Sequence, residues 1–518
     1  MSPPASTPIV KNVAVLAAGL ALFLIVLWLP LPEGMTESGR RLLAVVALMG
    51  VWWMGEGTSI TVTALLPLVL FPLLGVMSSK EVASKYVNHL IFLFLGGFII
   101  AVAMEKWRFH KRLALAIIAV VGTQPSRIVF GFMAATAFLS MWISNTASTL
   151  MMLPVAMAVV QQIGLEGSLE GERTPETREA IQKNLGLVLM LGIAYSASIG
   201  GVGTLIGTPP NIVFAGFYRQ FFPDKPEITF VKWMALALPL VVVFLPVVWQ
   251  FLVRFASRIR LDAIEFGEGG GRIIEEERRA LGPFRRAEKI IACVFLTTAF
   301  LWIFRKPIDL GAWVVPGWSS MFPKPELLHD STVAMAMSLL LFVLPIHGLR
   351  GVEWNGRREH FLLEWKDVEM KVPWGVLLLF GGGFALAAAF GKTGLDGWLG
   401  NHLTGAKGLP VWGVVLMICL GMTFLTELTS NTATTTMILP IIAATATAVA
   451  FEPLQLMVPA ALSASFAFML PIATPPNAIV YSSGWVTVPA MARMGLLLNF
   501  LGAFLVTLTV LLGVGWLL

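Results

Sequence analysis

Ser144-Asn145-Thr146-Ala147-Ser148-Thr149-Leu150-Met151-Met152-Leu153-Pro154 returns 286 residues downstream as Ser430-Asn431-Thr432-Ala433-Thr434-Thr435-Thr436-Met437-Ile438-Leu439-Pro440, with eight of eleven positions identical. At the same spacing Gly97-Phe98 pairs with Gly383-Phe384. A second motif, Gly207-Thr208-Pro209-Pro210-Asn211, returns as Ala473-Thr474-Pro475-Pro476-Asn477 at a spacing of 266. The 20-residue shortfall lies largely in the polar segment 164–183, which has no counterpart in the second copy. Two copies of one unit therefore make up most of the chain. One Ser-Asn-Thr in an apolar helix is usually a serine and a threonine bonded back to their own backbone. Duplication of two motifs in the same order is what raises these residues to candidates for function.

The solvent of that unit follows from composition. With 518 residues, 57% hydrophobic and only 13% charged, and a mean hydropathy of +0.81, the chain is too apolar for a water-soluble globule and reads as a membrane protein. A net charge of +6 without a polybasic tail or interleaved aromatic and basic residues argues against a nucleic-acid partner. Cys293 and Cys419 lie far apart in apolar runs, which offers neither a metal nor a redox pair. Lys11 is followed by 21 uncharged residues, 12–32, longer than a signal-peptide core and without a clear cleavage site; they are expected to be a retained first helix.

Charge-free runs at 12–32, 57–79, 86–104, 233–253, 331–349, 372–391 and 494–518 match the ~20 residues that carry a helix across ~30 Å of hydrocarbon. Runs 42–55 and 290–304 are shorter, and their flanking charges are expected to snorkel. Runs 128–165, 184–218 and 453–492, with 408–451 interrupted only by Glu427, are too long for one span and too short for two. These four are the tracts that hold the repeated motifs. If the Ser-Asn-Thr segments are hairpins returning to the face they entered, and each Thr-Pro-Pro-Asn breaks one spanning helix, 24 of the 36 basic residues fall on the side of the N-terminus. The positive-inside rule then puts that side in the cytoplasm and the C-terminus outside, at the inner membrane. The repeats enter from opposite faces and form an inverted pair.

Polar residues at mid-membrane depth lose several kcal/mol of hydration per unpaired group, so they are kept there for a purpose. Ser144-Asn145-Thr146 and Ser430-Asn431-Thr432 are the residue types that end one half-helix and cap the next. The second half-helix then offers free N–H groups and a positive dipole end to an oxyanion. The first offers free carbonyls which, with Asn and Ser side-chain oxygens, suit an alkali cation. Thr208 and Thr474 are candidate caps, with Pro209 and Pro475 in the first helical position. Because proline disfavours helix in the residue before it, carbonyls around Gly207 and Ala473 are left to face an ion. Glu427 reads equally as a proton-coupling carboxylate or as a partner of backbone amides. Gly201-Val202-Gly203 lacks the strand and the Gly-Lys-Ser/Thr of a nucleotide loop. His89 and His347 sit near span ends as interfacial residues, and the loop 254–289, with nine basic and seven acidic residues, reads as a solvated or surface-lying helix.

On these paired motifs, from about Arg41 onward, the chain resembles the divalent anion/sodium symporter family, carriers of succinate, malate, fumarate, citrate or sulfate. The resemblance implies an all-α polytopic membrane protein: inverted repeats with about 11 transmembrane helices, two re-entrant hairpins and two broken helices. It implies a homodimer working by an elevator-type movement. The expected organisation is an N-terminal helix in 1–40 and a first repeat in 41–255, with its hairpin at 128–165 and broken helix at 184–218. A polar cytoplasmic loop, 256–287, leads to a second repeat in 288–518, with its hairpin at 411–449 and broken helix at 453–484. By resemblance, one sodium ion would be held by Ser140, Ser144, Asn145 and Gly207, and a second by Thr426, Thr429, Asn431 and Ala473. Substrate carboxylates would meet Asn145, Thr146, Thr208, Pro209, Asn431, Thr432, Thr474 and Pro475. Sodium is the expected coupling ion, with no organic cofactor. Family members that exchange without sodium are expected to carry a fixed cation near the anion, and no Lys or Arg occurs in 128–165, 184–218 or 428–492. The alternatives are such an exchanger, a sulfate or tricarboxylate carrier, or an integral-membrane enzyme, for which no HExxH, Asp-rich motif or Cys/His cluster is found.

Overall fold

The computed structural model describes residues 9–122, 124–169, 171–265, 269–309, 313–346, 352–354, 356–402 and 408–516. They form a predominantly helical protein. Seven helical segments among the described residues are long and apolar enough to cross a bilayer: Ser79–Lys106, which turns at 86–88 before His89–Lys106, Asn145–Glu166, Pro175–Gly201, Phe230–Phe255, Trp374–Thr393, Asn431–Val449 and Val488–Gly513. Shorter apolar helices pack among them, including Pro125–Ser140, Val411–Thr426 and Pro453–Ser463. Starts are set by side-chain caps: Thr36, Asn88, Thr174, Thr229 and Thr487 each accept from an amide two or three residues on. The short runs 42–55 and 290–304 are indeed helical, as Glu37–Gly55 and Arg286–Ile303.

Two expectations change. Run 57–79 is not one helix but two, Ile60–Ala64 and Leu66–Leu73. Pro67 has no N–H to bond four residues back, and at the break Leu65 N bonds instead to Val62 O at 3.1 Å. The loops are also not free of strand. Three small antiparallel ribbons pair Ser168–Leu169 with Ile264–Glu265, Ile308–Asp309 with Val314–Val315, and Val352–Trp354 with Arg357–Glu359. The first ribbon ties the polar insertion of the first half to the central loop. That loop carries the helix Gly269–Ala280, which packs against Phe109–Val121 and Asn145–Glu166. The rings of His89 and His329 meet at a tilt of 37° with centroids 4.8 Å apart; His347 lies outside the described residues.

Small residues bring the spanning helices into backbone contact, the packing that membrane helices favour where hydrophobicity alone gives no drive. A Cβ at Gly200 would sit 2.1 Å from Ala137 O, so Pro175–Gly201 lies directly on Pro125–Ser140. A Cβ at Gly96 would fall 2.7 Å from the Ala334 backbone, where His89–Lys106 meets Asp330–Val343. The halves are interleaved. The helix after the first Thr-Pro-Pro-Asn, Pro209–Phe221, packs on Asn431–Val449 of the second half, while Pro475–Tyr481 packs on Pro175–Gly201 and Asn145–Glu166 of the first.

Candidate functional site

Each repeated motif lies where a helix stops. Pro125–Ser140 ends at a four-residue turn and restarts as Asn145–Glu166; Val411–Thr426 ends and restarts as Asn431–Val449. Pro175–Gly201 stops seven residues short of Pro209–Phe221, and Pro453–Ser463 stops eleven short of Pro475–Tyr481. All four interruptions meet in one cavity of about 550 Å³. Of the candidate residues, Ser144, Asn145, Thr146, Gly207, Thr208, Pro209, Thr429, Asn431, Thr432, Ala473, Thr474 and Pro475 line it. Ser140 and Thr426 do not; both are fully buried behind the tips.

The polar groups at the tips divide into engaged and free. Beyond each tip the bland reading holds: Thr149 Oγ1 donates to Asn145 O at 2.8 Å, Thr435 Oγ1 to Asn431 O at 2.7 Å and Thr436 Oγ1 to Thr432 O at 2.8 Å. At the tips, Ser144 Oγ accepts from Ala147 N and Thr474 Oγ1 from Asn477 N, as capping residues should. Ser430 and Thr208, expected to cap in the same way, make no side-chain cap bond. The helical ladders begin only at Ser148 N and Thr434 N, bonded to Ser144 O and Ser430 O. The amides of Asn145 and Thr146, and of Asn431 and Thr432, therefore precede the ladder and stand at the cavity wall.

Oxygen atoms crowd behind each tip. In the first half Ser140 Oγ donates to Asn145 Oδ1 at 2.6 Å. A Cβ on Gly201 would lie 2.6 Å from that same Oδ1, and a Cβ on Gly207 would lie 2.3 Å from Gly201 O and 3.0 Å from Ser140 O. Side-chain and main-chain oxygens from the two helix interruptions, 141–144 and 202–208, and the helix ends beside them thus converge where only glycine leaves room. In the second half Asn431 Oδ1 is buried without a hydrogen-bond partner. At the same interruption Thr429 Oγ1 donates to Leu425 O at 2.7 Å and lies 2.6 Å from Thr434 Oγ1, while Thr426 Oγ1 donates to Thr423 O at 3.0 Å. Uncharged oxygens in this density suit a hard monovalent cation. No group of three or more His, Cys, Asp or Glu able to hold a metal occurs among the described residues.

Three structural residues, Glu427, Asn211 and Asn477, escaped sequence reasoning or were left open by it. The Glu427 carboxylate accepts from Phe468 N at 2.7 Å, Met469 N at 2.9 Å, Leu470 N at 3.1 Å and Asn499 Nδ2 at 2.7 Å. It is a backbone partner that ties the turn between Val411–Thr426 and Asn431–Val449 to the unwound stretch carrying Ala473. The asparagine of Thr-Pro-Pro-Asn, given no role from sequence, staples the unwound stretch behind it. Asn211 Nδ2 donates to Thr204 O at 2.7 Å, with Gly201 O and Val202 O at 3.3 and 3.4 Å; Asn477 Nδ2 donates to Ala467 O and Leu470 O, both at 3.0 Å. The remaining cavity wall comes from elements outside the motif tracts, Phe94, Phe98, Glu56, Glu105, Lys371 and Val376 among them. Only the repeated Gly97-Phe98 gave any sign of these.

The family model described as the sodium:sulfate symporter transmembrane region matches residues 10–518. The chain belongs to this family. Among relatives of this sodium:sulfate symporter family member, the sodium-dependent dicarboxylate transporter SdcS of Staphylococcus saprophyticus is 40% identical over 495 residues, 96% of this chain and 90% of that protein. SdcS of Staphylococcus aureus is 41% identical over the same coverage. The fold is shared with Neisseria gonorrhoeae MtrF, described as one of a class of antimetabolite efflux pumps, at a TM-score of 0.51 and 12% identity over 97% of this chain and 93% of that one. The family and these relatives are transporters. The chain is accordingly a multi-pass membrane transporter and not an enzyme, which removes the integral-membrane enzyme from the alternatives.

Proposed function

We propose that this family member is a sodium-coupled symporter of C4-dicarboxylates such as succinate, malate or fumarate. The observation that carries the reading is that both copies of both motifs open into one cavity, with helix-start amides at its wall and packed neutral oxygens immediately behind. The amides of Asn145, Thr146, Asn431 and Thr432, with the hydroxyls of Thr208 and Thr474, receive the carboxylates. One sodium ion sits among Ser140, Ser144, Asn145 and Gly207, and the other among Thr426, Thr429, Asn431 and Ala473. At the second site Thr426 Oγ1 contributes a lone pair while its O–H donates to Thr423 O. Sodium bound first lowers the cost of placing a dianion between the tips, which couples the two. The SdcS relatives, named as sodium-dependent dicarboxylate transporters, support the same substrate class.

Fixed charge speaks against the sodium-independent exchanger. Lys371 lines the cavity, but so do Glu56 and Glu105, and Lys371 is paired to Glu105 at 2.9 Å. The fixed charges at the wall leave no surplus of positive charge for a dianion, so mobile cations supply it. Residues 41–255 and 288–518 act as inverted copies, each giving one re-entrant hairpin and one broken helix, with the helix of 1–40 outside the repeat and 256–287 as the cytoplasmic connection. With about 11 crossings, a cytoplasmic N-terminus and an external C-terminus, the protein works in the inner membrane as a homodimer whose motif-bearing helices move as an elevator. The test is uptake of labelled succinate into proteoliposomes: a steep rise with an inward sodium gradient is expected, and equal uptake with choline in place of sodium would defeat the proposal. Competition by citrate and sulfate separates dicarboxylate from tricarboxylate or sulfate transport.

A further inference from the structure

We infer that Lys371 is the encounter group for the dianion at the mouth of the cavity, held by Glu105 until substrate arrives. The inference rests on the dianion reading above. Among the described residues Lys371 is the one Lys or Arg in the cavity wall, and its side chain is 40% exposed while that of its partner Glu105 is 45% exposed. A residue that both lines the cavity and meets solvent stands at its entrance.

Neighbouring contacts show why this pair is free to exchange. One position along the helix, Lys106 Nζ lies 2.8 Å from Glu359 Oε2 and 2.7 Å from Asp367 Oδ2, and only 8% of its side chain is exposed. Trp107 Nε1 donates to Leu362 O, Trp354 Nε1 donates to Lys106 O, and the two indoles stack with centroids 4.9 Å apart. These buried contacts clamp the segment ending in helix Trp365–Lys371 against the end of His89–Lys106. The Glu105–Lys371 pair is not needed for that. A half-exposed ion pair is weak because water screens it and two long side chains must be ordered to make it. A carboxylate of the incoming dianion is the same ligand as Glu105 and can take its place on the ammonium. Glu56 also lines the wall; it caps Glu37–Gly55 in a left-handed conformation, φ 53°, which a side-chain-bearing residue adopts at a cost. With two glutamates repelling the dianion there, the single ammonium is the group that admits it.

The test is initial-rate succinate transport at fixed saturating sodium in inside-out and right-side-out membrane vesicles, with choline chloride varying ionic strength. Lys371→Gln should raise KM for succinate about fivefold, the order of one contact between unit charges at ~4 Å in water, in the one vesicle orientation whose medium meets the cavity mouth. Vmax should stay unchanged, and the ionic-strength dependence of Vmax/KM should flatten. Lys371→Arg should restore both, and Glu105→Gln, which frees the ammonium, should lower KM in that same orientation. A wild-type KM for Lys371→Gln in both orientations, or a loss of Vmax alone, would overturn the inference, and so would a Glu105→Gln KM at or above wild type. Wild-type vesicles that show no sodium-dependent succinate transport would instead defeat the proposed function.

Discussion

Gly207→Ala tests the first cation site most directly. The new methyl carbon would stand 2.3 Å from Gly201 O and 3.0 Å from Ser140 O, both backbone atoms at the ends of helices. Ordinary carbon–oxygen contact is near ~3.5 Å, so the broken helix and the hairpin must part by about 1 Å. Overpacking of this kind costs about 1–3 kcal/mol, and it falls on the oxygens proposed to surround sodium. If the cost appears in cation affinity, the half-saturating sodium concentration for succinate uptake rises about 5- to 150-fold, and the Hill coefficient for sodium falls. Ala473→Gly is the internal control, because the second half already carries a methyl at this position and should lose little. Both variants are checked for monodispersity and thermal stability in sodium-free buffer. A folded Gly207→Ala with wild-type sodium dependence and cooperativity would refute the placement of a cation beside Gly207.

Asn145→Ala and Asn431→Ala should each abolish sodium-driven uptake while the protein still assembles, since each removes a tip oxygen, one bonded to Ser140 and one without a protein partner; near-normal uptake by either would remove that residue from the site. Glu427→Gln should destabilise the fold by about 1–3 kcal/mol without imposing a pH dependence on transport. An amide has one acceptor oxygen where the carboxylate has two, which leaves at least one of the amides of Phe468, Met469 and Leu470 unpaired; an unchanged melting temperature would contradict this. Glu227, in the loop before Phe230–Phe255, is raised by burial, but hydrogen bonds from His329 and Lys306 and the charge of Arg305 outweigh that and hold its carboxyl well below its ordinary 4.5. A carboxyl depressed on folding stabilises fully above its unfolded value and loses that contribution as pH falls through the folded one. The wild type should therefore lose thermal stability below about pH 4.5 more steeply than Glu227→Gln does, and parallel profiles would exclude Glu227 as a contributor.

The sequence alone was enough for the membrane, the duplication and the four interruptions. Those properties are local: a bilayer demands uninterrupted apolar helix, so Ser144-Asn145-Thr146 or Thr208-Pro209-Pro210 in mid-run announces a break wherever the rest of the chain goes. Run 57–79 shows where local reading slipped, since absence of charge said nothing of the backbone break that Pro67 causes. The two cap expectations that did not hold, at Ser430 and Thr208, share that cause, because a cap hydroxyl turns toward whichever acceptor or space the tertiary packing offers.

What only tertiary structure decided is which groups meet. Glu427 looked like a proton carrier or a structural acid until the chain brought Phe468, Met469, Leu470 and Asn499 around it. Lys371 and Glu105, 266 residues apart, lie outside both repeated motifs, yet they stand together at the cavity mouth. Hydrophobic periodicity and proline placement act through neighbours in sequence, whereas the cage behind Asn145, the unpaired oxygen of Asn431 and the charge balance of the cavity are sums over helices distant along the chain. Such sums are settled by packing, and no stretch of residues encodes them by itself.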